Sequence, residues 1–186
     1  MITVPVEVSN HHLHLSAEDL AALFGPAAEL HVRRPISQTG QFAAAETVTL
    51  AGPKGEIERV RIVGPVRAAT QVEISASDAA TLGVDAPLRD SGQLAGSPGI
   101  GLVGPSGRVD LAAGVIRQRR HIHASPSDCQ PHGLTNGQTV KVQVNGHIFD
   151  DVYIKVDPTY VWRLHLDTDE ARQARVVGGE IGEVML

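Results

Sequence analysis

The chain contains one cysteine, Cys129, so no disulfide can form within it. Chains without disulfides are typical of reducing compartments, and we therefore expect a cytoplasmic protein. Long hydrophobic runs are also missing. No stretch approaches the roughly 18 apolar residues that span a bilayer, and no basic segment precedes an apolar one as in a signal peptide. The sequence gives no reason to expect a membrane partner.

Positive charge is in deficit as well, with 16 Lys and Arg against 21 Asp and Glu. The formal net charge of −5 argues against a general nucleic-acid binder, because that class of protein depends on a positive field. Aromatic residues make up only 3 % of the chain, so the core must be built mainly from Val, Ile, Leu and Ala. At 186 residues the chain can form one compact domain or two small ones.

Histidine, in contrast, is abundant and clustered. The chain has nine histidines, and five of them fall in two short segments. These five are His11, His12 and His14 near the N-terminus, and His121 and His123 in the second half. Clustering of this kind favours a shared chemical role over five separate ones.

A repeated motif contains the clustered histidines. Residues 12–19 (HLHLSAED) and 121–128 (HIHASPSD) share the pattern His-x-His-x-Ser-x-x-Asp. Residues 71–78 (QVEISASD) keep the Ser and the Asp, and they carry Glu73 at the second histidine position. Three copies with similar continuations predict an internal repeat.

Each copy reads as a strand followed by a short helix. Alternating apolar and polar residues in VEVSNHHLHLS, TQVEIS and RHIHAS are typical of strands, in which residues i and i+2 share a face. The serine of the motif, with an acidic residue three positions later, predicts a helix N-cap. The predicted caps are Ser16 with Asp19, Ser75 with Asp78, and Ser125 with Asp128.

The rest of the chain alternates short strands with glycine-containing turns such as PKG, PSG and VNG. Many short strands at this spacing favour closed or partly closed barrels. We therefore predict a mainly β protein of two small β-barrel domains with short capping α-helices. Residues 1–50 with 119–186 are expected to form the first barrel, and residues 51–118 a second barrel inserted into the first.

The two His-x-His pairs predict two zinc sites, because neutral imidazoles on one strand face suit Zn²⁺. Each pair needs a third ligand. Glu73 occupies a ligand position of the repeat, and His165 lies in the strand-like segment WRLHLD, which makes them the best candidates. The predicted ligand sets are His12, His14 and Glu73 for one metal, and His121, His123 and His165 for the other. Three protein ligands per metal leave positions open, as in catalytic zinc sites.

Arg67 is the leading candidate for binding an anion. It lies in the segment GPVR, six residues before Glu73, where a planar guanidinium would bind phosphate or carboxylate through two hydrogen bonds. Lys54, Arg119 and Arg120 are further basic candidates, although a solvated surface charge also accounts for each of them.

Simpler roles fit the remaining candidates. An isolated His-x-His is more often a surface or packing feature, and only its repetition inside a longer motif favours metal. His11 should point away from its neighbour His12, and Cys129 is expected to be a small buried hydrophobe. The histidines without a motif are His31, His132 and His147.

Several segments together resemble the PduL-type phosphotransacylases, or phosphate propanoyltransferases, over nearly the whole chain. They are SNHHLHLS, GQFAAAETVTLAGPKG, VRIVGPVRAATQVEIS, GSPGIGLVGPSG, RRHIHASPSD and LHLDTDEA. The resemblance implies reversible transfer of a propanoyl or acetyl group between coenzyme A and inorganic phosphate. It implies two β-barrel domains with two zinc ions per chain between them, commonly in a homodimer. It assigns the six ligands above to the zinc ions and phosphate binding to Arg67, and it identifies no residue that binds coenzyme A.

The chain departs from the family pattern at three positions beside the motifs. His11 stands where Arg or Lys is usual, Ala124 replaces a frequent Met, and Cys129 replaces a frequent Ala. None of these changes removes a predicted ligand. The first motif begins near the start of the sequence, without the extension that directs many members into bacterial microcompartments. We expect a free cytoplasmic enzyme, with microcompartment association by another route left open.

Two other classes of function stay open at this point. A dizinc hydrolase of thioesters or phosphate esters would use the same metals to activate water, and it would release free acid without requiring phosphate. A structural zinc module would instead have closed four-ligand sites and would unfold on chelation. Six ligands for two metals argue against the structural class.

Overall fold

The computed structural model describes all residues from Met1 to Leu186 and is mainly β, with 44 % of residues in strands and 15 % in helices. In its first half the elements are β1 (Ile2–Ser9), β2 (His12–His14), α1 (Ala17–Phe24), β3 (Val32–Pro35), β4 (Phe42–Ala51), β5 (Glu56–Gly64), β6 (Gln71–Glu73), α2 (Ala76–Leu82) and β7 (Leu88–Arg89). They continue as β8 (Gly101–Val103), β9 (Arg108–Asp110), β10 (Val115–Gln118), β11 (His121–Ala124), α3 (Pro126–Cys129), a 3₁₀ turn (Gln130–His132), β12 (Thr139–Val144), β13 (His147–Val156), β14 (Arg163–Asp167), α4 (Thr168–Gln173) and β15 (Ile181–Met185). The predicted mainly β class is confirmed.

The elements form two compact units. One comprises Met1–Asn10 with Arg119–Leu186 and is called the barrel unit below. Its six strands close into a barrel in the order β1-β14-β11-β13-β12-β15. Alternate residues of each strand fill the interior, among them Ile122, Ile154 and Leu164, which are fully buried.

The other unit, His11–Gln118, is called the sheet unit. Its strands form one nine-stranded sheet in the order β7-β10-β6-β2-β5-β4-β8-β9, with β3 paired to β4, and this sheet curls into a half-barrel. Leu13, Ile62 and Val72 lie in its core with α1 and α2 residues such as Leu23 and Leu82. The second predicted barrel is therefore an open sheet.

The boundaries of the units also differ from the predicted 1–50 and 51–118. Strand β2 pairs with β5 and β6, and β4 pairs with β5, so residues 11–50 belong to the sheet unit. The predicted boundary after residue 50 falls inside β4. Strands β4 and β5 form a hairpin whose turn is closed by a hydrogen bond from Gly52 N to Gly55 O of 2.9 Å. A hairpin of this kind buries its strands together and cannot be divided between two cores.

Both units contain the same four-stranded arrangement. In the sheet unit the order is β10-β6-β2-β5, and in the barrel unit it is β1-β14-β11-β13. In each, the two outer pairs are parallel and the central pair is antiparallel. The central registers correspond as well, because His12 lies opposite Glu73 in one unit and His121 opposite His165 in the other. The predicted internal repeat is thus a structural duplication.

The two copies exchange their first strands. Strand β1 leads directly into β2, yet β1 pairs with β14 in the barrel unit. Likewise β10 leads into β11 but pairs with β6 in the sheet unit. The chain therefore passes from one unit to the other between Asn10 and His11, and again between Gln118 and Arg119.

The motif serines cap short helices, as predicted. The hydroxyl of Ser16 accepts a hydrogen bond from the backbone N–H of Asp19, and Ser75 and Ser125 accept the equivalent bonds. In α2 and α3 the acidic side chain also accepts from the serine N–H, which completes a capping box. None of the helices has the length and apolar character needed to cross a membrane.

Candidate active site

The first candidate metal triad lies on two neighbouring strands of the sheet unit. His12 and His14 project from β2, and Glu73 projects from the antiparallel strand β6. The Nε2 atom of His12 lies 3.5 Å from Glu73 Oε2, and the Nε2 atom of His14 lies 3.8 Å from Glu73 Oε1. One ligand atom from each residue falls within 4.8 Å of the others, so this group could hold a metal ion.

The imidazole of His14 is oriented and kept neutral by its surroundings. Its Nδ1–H donates to the backbone carbonyl of Val63 at 2.9 Å, which leaves Nε2 to face Glu73. Burial lowers the pKa of His14 to about 2, and the nearby His12 and Arg67 add to that effect. A neutral imidazole with one nitrogen anchored is the form that binds zinc.

The second candidate triad lies on the barrel unit and consists of three buried histidines, His121, His123 and His165. The Nε2 atoms of His121 and His123 lie 3.0 Å apart. The ring of His165 stacks on that of His121, with centroids 4.9 Å apart, and tilts against that of His123 at 4.4 Å. The three ligand nitrogens again fall within 4.8 Å of one another.

Hydrogen bonds and burial also prepare the second triad. The Nδ1–H of His121 donates to the Arg119 carbonyl at 2.8 Å, and the Nδ1 atom of His165 lies 3.4 Å from Ser9 Oγ. Burial, with the neighbouring His165 and Lys155, lowers the pKa of His123 to about 2. The same causes hold the pKa of His121 well below its ordinary value.

The donor sets and spacings fit zinc. A tetrahedral ion with zinc–nitrogen bonds of about 2.0–2.1 Å places its ligand atoms about 3.3–3.4 Å apart. His121 Nε2 and His123 Nε2 lie 3.0 Å apart and His12 Nε2 and Glu73 Oε2 lie 3.5 Å apart, on either side of that spacing. The structure thus brings all six predicted ligands together in the two predicted groups.

Arg67 lies beside the first triad. Its backbone N–H donates to the Leu15 carbonyl at 2.8 Å, which ties it to the residue after His14. Its guanidinium donates from Nη1 to Ser91 Oγ at 3.3 Å and from Nη2 to Gln41 Oε1 at 3.4 Å. A fork-shaped cation is therefore held next to a candidate metal site, where it can bind an anion.

The other basic candidates make ordinary structural contacts. Arg119 lies over the Tyr153 ring at 5.4 Å, and Arg120 pairs with Asp151 at 2.8 Å and with Glu170 at 3.6 Å. The structure shows no ion pair for Lys54.

The remaining histidines and the cysteine lie outside both triads. His11 contacts both carboxylate oxygens of Asp78 at 3.3 Å, His31 pairs with Glu46, and His147 packs on Phe149. Cys129 is buried, as predicted.

Sequence reasoning missed a fourth copy of the motif, at residues 163–170. His165 is followed by Asp167, which caps α4 by accepting from the N–H groups of Asp169 and Glu170. The Glu170 carboxylate accepts from Asp167 N–H at 3.0 Å, which completes a capping box. The spacing His-x-Asp-x-x-Glu matches His-x-Ser-x-x-Asp, with each polar residue exchanged for one of similar function. This conservative exchange, Asp for Ser and Glu for Asp, is the feature of the sequence that could have revealed the fourth copy.

The fold and the site define the class: a two-unit β protein with two groups of three residues that could each hold a metal ion, and an arginine beside one of them. Comparison with known proteins gives the family. The family model described as phosphate propanoyltransferase matches residues 5–177. The chain belongs to the phosphate propanoyltransferase family, and it is a transferase.

Individual relatives agree with the family match. A phosphate propanoyltransferase of Shewanella putrefaciens is 49 % identical over 182 residues, covering 96 % of this chain and 86 % of that protein. One from Thermotoga maritima is 50 % identical over 180 residues, covering 95 % and 86 %. One from Salmonella typhimurium is 47 % identical over 175 residues, covering 92 % and 83 %. Matches of this extent span both units.

Proposed function

We propose that the chain catalyses the reversible reaction acyl-CoA + phosphate = acyl phosphate + CoA, with propanoyl-CoA or acetyl-CoA as the acyl donor. The name of the relatives, phosphate propanoyltransferase, supports this reaction. The observation that carries the proposal is the position of Arg67, a phosphate-binding type of side chain tied to the strand that presents the first triad.

The proposed cofactors are two Zn²⁺ ions per chain. His12, His14 and Glu73 would hold one, and His121, His123 and His165 the other. When bound, zinc supplies Lewis-acid charge stabilisation and a partner for a thiolate. Burial keeps His14, His121 and His123 neutral, and backbone carbonyls hold the rings of His14 and His121, so these ligands need little reorganisation on binding.

Arg67 is proposed to bind phosphate and orient it. Its Nη1 and Nη2 atoms each donate a hydrogen bond, to Ser91 and Gln41, and these two contacts fix the plane of the guanidinium. A guanidinium binds two oxygens of a phosphate through a pair of parallel hydrogen bonds, and this is the arrangement proposed for Arg67. Holding phosphate in one orientation converts an encounter between two substrates into a reaction within one complex, which lowers the entropic part of the barrier.

The bond changes are those of acyl transfer. A phosphate oxygen forms a bond to the thioester carbonyl carbon, and the carbon–sulfur bond breaks. The electron pair leaves with sulfur, and CoA departs as thiolate and is protonated by solvent. The reverse reaction passes through the same arrangement.

The test is release of free thiol from propanoyl-CoA and acetyl-CoA, with and without phosphate, before and after chelation. We expect release that requires phosphate and is lost on chelation. The two acyl chains differ by one methylene, so we expect a rate ratio of roughly 10–200 at most. Thiol release with free acid as product and no need for phosphate would instead identify a hydrolase.

We propose that the enzyme acts as a homodimer in the bacterial cytoplasm, as the family resemblance implies. Light scattering of the purified chain at several concentrations tests the dimer. Co-fractionation with microcompartment shells tests association with those bodies, and recovery in the soluble fraction alone supports the free enzyme.

A further inference from the structure

Gln71 is a polar side chain in the interior of the sheet unit, with an exposed fraction of 2 %. Burying an amide is costly unless its donors and acceptor are paired. Here they are paired: Nε2 donates to Glu73 Oε1 at 2.5 Å and to Ser91 Oγ at 2.8 Å, and Oε1 accepts from Gly92 N–H at 2.7 Å. The Gln71 amide thus contacts both the loop at residues 91–92 and the candidate ligand Glu73.

Ser91 extends this contact to the anion-binding side chain. Its hydroxyl accepts from Arg67 Nη1 at 3.3 Å and lies 3.5 Å from Glu73 Oε1. A continuous set of hydrogen bonds therefore runs from the Arg67 guanidinium through Ser91 and Gln71 to the Glu73 carboxylate. The neutral groups of Ser91 and Gln71 thus contact both the cation and the carboxylate, and their hydrogen bonds restrict where each of the two can lie.

The position of Gln71 in the repeat explains why it faces the triad. It occupies the place that His12 and His121 hold in their motifs, on the same strand face as Glu73. Its counterpart in the fourth copy is Arg163, which pairs with Glu7 at 3.7 Å and not with a ligand. In the middle copy, therefore, Gln71 stands at the first ligand position and donates a hydrogen bond to Glu73 at the second.

We propose that Gln71, with Ser91, is a positioning residue that fixes the Glu73 carboxylate and the Arg67 guanidinium relative to each other. Because Gln71 occupies Oε1, the other carboxylate oxygen, Oε2, is directed towards His12 as the metal-binding atom. This inference rests on the proposed function for the role of Arg67, but its effect on metal affinity can be measured without any turnover.

The first arm of the test measures zinc affinity by competition with a chromophoric chelator. Gln71→Leu removes the donor to Glu73, and Gln71→Glu replaces it by a group of the same shape that repels the carboxylate. We expect one of two zinc ions to bind roughly 10–100-fold more weakly in both variants, as is typical when a ligand loses its orienting partner. The matched control is Ser106→Ala, in an exposed turn, where both affinities should equal those of the wild type. Unchanged affinities in both folded Gln71 variants would overturn the positioning of Glu73.

The second arm uses Ser91→Ala, which alters an exposed loop residue and so leaves the core intact. We expect the KM for phosphate to rise roughly tenfold with a smaller change in kcat, because Arg67 loses a hydrogen-bonded support. In an Arg67→Ala background the same change should add little, since the two residues would act through one contact. A KM for phosphate equal to that of Ser106→Ala would overturn the link from Ser91 to Arg67. Absence of phosphate-dependent thiol release in the wild type would refute the proposed function, while the zinc arm would still decide the role of Gln71.

Discussion

The two units carry the same strand arrangement but different third ligands. In the sheet unit a carboxylate, Glu73, completes the triad, and in the barrel unit an imidazole, His165, stands at the equivalent place. With Zn²⁺ bound, two histidines and a carboxylate leave a formal charge of +1, whereas three histidines leave +2. The barrel unit would therefore present the stronger positive charge from metal and ligands alone.

Each triad also has a basic side chain in its surroundings. Arg67 lies close enough to lower the pKa of His14 in the sheet unit, and Lys155 acts in the same way on His121 and His123 in the barrel unit. The two basic side chains differ in shape, because the guanidinium of Arg67 is a planar fork and the ammonium of Lys155 is a point charge. The comparison teaches that a duplicated scaffold can carry different charged groups at matching places, and the proposed division of labour assigns phosphate binding to the sheet unit. The predictions below test that division, beginning with the largest expected effect.

Removing one ligand from either triad should abolish turnover. For His14→Ala and His123→Ala we expect losses greater than about 100-fold, since even loss of a ligand's hydrogen-bonding partner commonly costs 10–100-fold. Zinc content should fall from two ions to one in each variant, by elemental analysis. The exposed His132 provides the control, as His132→Ala should keep both ions. Full activity in one ligand variant would show that only the other triad takes part.

Replacing Arg67, which lies in the sheet unit, should weaken the use of phosphate and leave the metal content of both units unchanged. We expect Arg67→Ala to lower kcat/KM for phosphate about 100-fold, within the range for a hydrogen-bonded charged contact, with zinc content unchanged. Arg67→Lys should recover only part of this loss, because a point charge replaces a planar fork. Steady-state kinetics with phosphate varied gives the comparison. Near wild-type turnover in Arg67→Ala would contradict phosphate binding by this residue.

The metal-free protein should lose stability as pH falls from 6.5 towards 5. His14, His121 and His123 have lowered pKa values when folded, so below pH 6.5 they take up protons only on unfolding. Burial raises the pKa of Glu170 to about 7, so this group instead contributes stability that is present below pH 4.5 and lost as pH rises through 7. Three protons gained and one released leave two, or about 3 kcal/mol per pH unit.

Denaturant unfolding of chelated protein at several pH values measures this slope. Glu170→Gln, in the barrel unit, removes the opposing group and should steepen the slope by about 1.4 kcal/mol per pH unit. A free energy of unfolding that does not decrease between pH 6.5 and pH 5 would contradict the lowered histidine pKa values.

The smallest effect should come from the helix caps. Ser75→Ala and Ser125→Ala each remove the acceptor for an N–H group in the first turn of α2 or α3. We expect each to lower the free energy of unfolding by about 1 kcal/mol without loss of zinc. Urea titration checks the size. Ser127→Ala, outside the cap acceptor position of α3, should cost less than Ser125→Ala.

Much of the site could be predicted because its signals are local. His12 and His14 share a strand face at a spacing of two residues, and Ser16 with Asp19 marks a helix start whatever lies elsewhere. The third ligand of the first triad could be predicted only from the repeat, which places Glu73 at a ligand position. In the structure His12 lies opposite Glu73 and His121 lies opposite His165, so the strands group the residues as the predicted sets do.

The features that could not be predicted depend on distant parts of the chain. The contact between Gln71 and Ser91 joins residues 20 positions apart through an irregular loop, and no periodic pattern encodes it. The unit boundaries at residues 10 and 118 result from exchanged strands, whereas composition and turn signals mark only where strands end. For the same reason the open edge of the sheet unit could not be distinguished from a closed barrel.

The exchange of first strands also sets an order of events during synthesis. Strand β1 is synthesised well before its barrel partners, which lie more than 150 residues later at Leu164 and Val184. An edge strand that waits unpaired is exposed to pairing with other chains. The polar residues Glu7, Ser9 and Asn10 would limit such pairing until residues near the C-terminus emerge. The barrel can therefore close only after β14 and β15 have been translated, and the all-histidine triad also has to wait for β14.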